Sequence, residues 1–163
     1  MSTTTKLITA SELKSIVTID QTIDPFWFDR EILFCQEVYL KPVLTEELYY
    51  AILTDYATPP LSANNQILYD RYLKFIVANG TAFRSIVGNI ETQTSNQGVE
   101  VNRTEYSNSK AIDDKRQANL LYNKVFYYQN QLGNFLINNA VDYPNFDQTQ
   151  ICLTPEFGYF TNI

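Results

Sequence analysis

Apolar side chains crowd the stretch from Asp24 to Leu53, where Phe26, Trp27, Phe28, Ile32, Leu33, Phe34, Cys35, Val38, Tyr39 and Leu40 leave only a thin polar stripe of Asp29, Arg30, Gln36, Glu37 and Lys41. A helix so apolar around most of its circumference needs cover on several sides. Asp24 is placed to cap it at Pro25, a first position where a missing N–H costs nothing, and Pro42 is expected to end it. Thr45 then reads as the cap of a second helix, with Glu46 and Glu47 in the first turn where negative charge suits the helix dipole.

The same reading extends along the chain. Thr9 to Glu12 has the spacing of a capping box and predicts a short helix through about Val17, packed on the helix that follows Asp24. The double proline in the loop after Asp55 stops the second helix, and Ser62, Asn64 and Asn65 offer caps for the next. From about Asn65 to Phe83, residues Ile67, Leu68, Tyr72, Phe75, Ile76, Asn79 and Phe83 recur every three or four positions and predict one buried face, with Gly80 bending the helix or ending it early. Between Ser85 and Lys110 the pattern turns β-branched and polar, and Ile90 to Thr94 with Val99 to Arg103 read as a hairpin turning at Gly98. Asn108 or Ser109 is expected to open the longest helix, reaching about Asn139, with Ala111, Ala118, Leu121, Val125, Tyr128, Leu132 and Phe135 along a continuous seam.

These elements predict a mainly α fold: one domain spanning 1–163, a bundle of about five helices over about 9–140, a projecting β-hairpin or loop over about 86–108, and an extended C-terminal arm over about 141–163. The arm holds Tyr143, Phe146, Phe157, Tyr159 and Phe160 among Pro144, Pro155 and Gly158. So many aromatics are not left in water, so the arm is expected to dock on its own subunit or on a neighbour.

Composition narrows the chemistry. Twelve Lys and Arg against eighteen Asp and Glu give a net charge of −6, opposed to nucleic-acid binding by phosphate neutralisation. The chain contains no histidine, which removes His-dependent triads and His-containing zinc and iron sites. No glycine pattern forms a phosphate loop, and the acidic neighbours Glu46–Glu47 and Asp113–Asp114 read as first-turn residues instead of catalytic pairs. Lys115 and Arg116 read as surface charge. Cys35 and Cys152 are expected to be reduced. Without an apolar leader or a long apolar run, the expectation is a soluble, intracellularly made chain with no cofactor, no metal and no catalytic residue.

Four segments, in order, resemble the small head-tail connector proteins of tailed bacteriophages, also called adaptor or ring proteins, as found in crAss-like phages. They are LITASELKSIV from Leu7, FCQEVYLKPVLTEELYYAIL from Phe34, IETQTSNQGVEVNRTEYSNSKA from Ile90, and GNFLINNAVDYPNF from Gly133. The Tyr39 to Leu44 piece and the Asn138-Asn139 pair followed by Tyr143-Pro144 are the most telling. Thr45 departs from the pattern, since relatives often carry Gly there, and the residues after Gln148 lie outside the likeness.

What the resemblance implies is a virion protein repeated as a ring, twelvefold in such connectors, beneath the portal and assembled in the host cytoplasm. Its partners are then further copies of itself, the portal protein and other connector or tail proteins. Genomic DNA passes through without sequence-specific binding, and no membrane is involved. The residues expected to meet other chains are Asn96, Gln97, Gly98 and Val99 at the hairpin and Phe157, Tyr159 and Phe160 in the arm. The competing readings are a small helical ligand-binding protein or enzyme with the aromatic helix as pocket wall, and a phage regulatory binding module.

Overall fold

Helix α1 (Ala10–Ile16) opens on the capping box its sequence spells: the Glu12 N–H donates to Thr9 Oγ1, and the Glu12 carboxylate accepts from the Thr9 N–H at 2.8 Å. Two of the donors left orphaned at a helix start are thereby satisfied. The computed structural model describes residues 5–17, 25–96 and 105–150. Helix α2 (Pro25–Cys35) begins at the proline expected to start it, while Asp24 lies outside the described residues.

Pro42 does not end that helix. A π turn over Gln36–Leu40 carries α2 into α3 (Lys41–Leu44), where Pro42 occupies the first turn. Proline inside an α-helix lacks a donor and strikes the carbonyl four residues back. The wider turn changes that register, with the Lys41 N–H reaching Gln36 O, so a single rod runs through the proline to Leu44.

The break comes at Thr45, which adopts φ 67° and ψ 161°, a region suited to glycine. Its side chain makes no cap to α4 (Glu46–Tyr56), contrary to the expectation; its Oγ1 lies 3.5 Å from the Asn145 carbonyl. The loop after α4 is closed by Asp55, whose Oδ2 accepts from the Ser62 N–H, the Ser62 hydroxyl and Asn65 Nδ2.

A second rod follows: α5 (Ala63–Leu68), a π turn over Tyr69–Leu73, and α6 (Lys74–Asn96). Gly80 does not end it. The glycine is buried, and a Cβ there would stand 2.8 Å from the Tyr39 ring, so its role is to let α2 and α6 approach closely. Helix α7 (Glu105–Asn138) returns alongside. The ring pairs Tyr72–Phe135, Phe75–Tyr128 and Phe83–Tyr122 run up α6 as they run down α7, which makes the two antiparallel.

The fold is mainly α, with five helical rods and no strand among the described residues. The β-hairpin is corrected at its first arm: Ile90 to Thr94 lie inside α6. Its second arm and turn, Gln97 to Arg103, fall outside the described residues. α7 also begins before the expected caps Asn108 and Ser109, so Asp113 and Asp114 sit well past its first turn. Strand propensity in a polar, β-branched segment is a weak preference that does not decide its conformation.

The core draws Leu7, Leu13, Phe28, Ile32, Leu48, Tyr49, Ile52, Ile76, Val125 and Leu132 into one cluster. The expected seam on α7 holds: Ala118, Val125 and Leu132 are buried, and Leu121, Tyr128 and Phe135 pack against the core.

Candidate functional site

The junction of α3 and α4 meets the segment after α7 at one end of the bundle. Tyr143 and Phe146, the first aromatics of the arm, are buried against the subunit's own core, one of the two dockings expected for it. The Tyr143 hydroxyl donates to the Asn64 carbonyl at 3.0 Å, and Asn64 Nδ2 donates to the Asp142 carbonyl at 3.2 Å. Burial pushes the Tyr143 hydroxyl above its ordinary pKa, with Asp142 adding to the effect. The Thr45–Asn145 contact ties the same segment to the α3–α4 junction. The chain leaves this clasp through a short turn over Gln148–Gln150, directed into the remaining arm by bonds that the Thr149 N–H and hydroxyl donate to Asp147.

A polar layer crosses the bundle between the first rod, α6 and α7. Gln36, wholly buried, clamps the N-terminal strand of chain with both ends of its amide: Oε1 accepts from the Leu7 N–H at 2.7 Å and Nε2 donates to the Thr5 carbonyl. Gln129 reaches from α7 to donate to the Tyr39 carbonyl inside the π turn, at 2.7 Å. Glu31, nearly buried, accepts from Arg84 Nε at 3.2 Å, and the Arg84 guanidinium lies over the Phe34 ring. Cys35 is a free thiol beside this pair; burial pushes it up to about 12, opposed by neighbouring Thr81, so it is not a reactive thiolate. Burial likewise pushes the Tyr39 hydroxyl up to about 12. These groups fix helix positions and register. Among the described residues no cluster of three His, Cys, Asp or Glu side chains is arranged to hold a metal ion, and no helix is long and apolar enough to cross a membrane.

Of the residues expected at interfaces, Asn96 is the last of α6, while Gln97, Gly98, Val99, Phe157, Tyr159 and Phe160 lie outside the described residues. The described surface adds others. On the first rod Phe34 and Val38 remain 45% and 43% exposed, although the sequence reading placed them under cover. On α7, Leu120 and Tyr127 remain 55% and 59% exposed, off the buried seam. Their signal was present in the sequence: both fall off the seam's three-four spacing.

Residues 40–156 match the model of a family of unknown function, DUF6712, and the chain belongs to that family. The match runs from the π turn through the C-terminal clasp and takes in α4 to α7. No curated protein and no solved structure matches the chain.

Proposed function

We propose that this chain is a ring subunit of a phage head-tail connector, a structural virion protein seated beneath the portal and surrounding the path of the genome. The observation that carries the reading is the clasp. The Tyr39 to Leu44 and Asn138 to Phe146 segments, which bear the strongest resemblance to connector proteins, lie about a hundred residues apart, yet they are joined through Thr45 and Asn145. Segments matched in order along a chain gain weight when they also form one structural unit.

The physical character of the molecule agrees with an assembly role. Apolar side chains stay exposed on two separate helices, as expected of a subunit that completes its burial against neighbours. A net charge of −6 suits a conduit wall, because a wall rich in Lys and Arg holds the duplex through its phosphates. The polar α6–α7 tip and the arm beyond Gln150 are the segments proposed to reach other chains.

The test is electron microscopy of the purified full-length chain with and without portal. The expected result is a twelvefold ring of this chain on the portal. A chain that remains free at saturating portal concentration contradicts the proposal.

A further inference from the structure

Two threonines stand immediately before helices in this chain, and their backbones differ at one torsion. Thr9, before α1, has φ −90° and ψ 162°, and its hydroxyl accepts from the Glu12 N–H. Thr45, before α4, has nearly the same ψ, 161°, but φ 67°, and its side chain makes no bond to the first turn of α4. Positive φ with extended ψ is a region for glycine, and a β-branched residue avoids it. Such a conformation persists only where the surroundings hold it.

What holds it here is the segment after α7. The Thr45 hydroxyl donates to the Asn145 carbonyl instead of serving α4. Beside Asn145, the Phe146 ring is buried, as is Tyr143. The bonds from the Tyr143 hydroxyl to the Asn64 carbonyl and from Asn64 Nδ2 to the Asp142 carbonyl fasten the same segment to α5. Residues 140–146 therefore form a strap across the α3–α4 junction, and the arm continues from its far end.

We propose that the Leu44–Thr45 peptide is a two-position switch set by this strap. Turning the peptide plane over changes ψ of Leu44 and φ of Thr45 by opposite amounts, the relation that separates type I from type II turns, and the chain direction on either side is kept. The buried α4 residues Leu48, Tyr49, Ile52 and Leu53 stay in the core. At φ 67° the hydroxyl reaches the strap and not α4. At the φ of Thr9 it caps α4, accepting from the N–H of Leu48, the third residue of the helix, as Thr9 does from Glu12. Docking of the strap and capping of α4 are then alternatives. Whatever draws on the arm is felt at the start of α4, where Glu46 and Glu47 are exposed.

NMR of the isolated full-length chain tests the switch; neither portal nor a second copy is needed, so the result is independent of ring assembly. Phe146→Ala unseats the strap beside Asn145, and Asn64→Ala combined with Tyr143→Phe removes both bonds to α5 while keeping the rings. In both variants the strong intraresidue HN–Hα contact that marks positive φ at Thr45 is expected to weaken, and exchange of the Leu48 amide to slow by about fivefold as the cap forms. Simple loosening of this end of the bundle would speed that exchange instead. Adding Thr45→Gly to either variant should abolish the Leu48 protection, because glycine has no strain to relieve and no hydroxyl to cap with. Positive φ retained at Thr45 in both strap variants, or a Leu48 amide that exchanges no more slowly, overturns the proposal.

Discussion

Thr45 holds a backbone conformation that costs a residue with a side chain of order 1–3 kcal/mol, and it does so while buried at the junction of two helices. Glycine adopts this backbone region without that cost. Thr45→Gly relieves the strain, loses a long 3.5 Å contact to Asn145, and gives the unfolded chain more freedom. The strain outweighs the other two, so chemical denaturation should show the variant more stable by up to about 1 kcal/mol. A loss of more than about 1 kcal/mol would mean that the contact to Asn145 dominates. At this scale the sequence was partly legible. The capping box was readable because its two side chains satisfy each other within four residues. The roles of Gln36, Gln129 and Gly80 depend on groups 29, 90 and 41 positions away, so nothing local announces them.

At the scale of elements, loops closed by ionised carboxylates give the fold a defined acid response. Hydrogen bonds from Asn65, then from the Ser62 N–H and hydroxyl, hold Asp55 below its ordinary pKa. Burial pushes Glu12 up, but bonds from Thr9 and from the Tyr69 hydroxyl outweigh it and leave that carboxyl lowered too. For groups depressed in the folded state, the stabilisation is fully present above the unfolded pKa and is lost as pH falls through the folded one. The melting temperature is therefore expected to hold through neutral pH and to drop below about pH 4, the unfolded carboxylate range. Asp55→Asn, which keeps an acceptor but cannot titrate, should flatten part of that drop. An unchanged acid profile in the variant would remove Asp55 from the account. Helix positions were legible from apolar periodicity, whereas two of the ends were not. A π turn absorbs Pro42, and α6 runs to Asn96 through residues whose β-branched, polar character resembles strand. Both outcomes are set by packing partners outside the segment read.

For the whole molecule, the bundle buries one continuous core, and apolar residues stay exposed on the first rod and on α7. The sequence showed a surplus of aromatics in the arm, expected to dock on its own subunit or on a neighbour. The first arm aromatics, Tyr143 and Phe146, pack on the subunit's own core, while Phe34 on α2 and Tyr127 on α7 stay partly exposed. The central claim is that the chain works as a ring around the genome's exit, and a cryo-electron reconstruction of the phage neck tests it most directly. A closed ring beneath the portal into which this chain fits is expected. A neck whose density leaves no ring for this chain would contradict it.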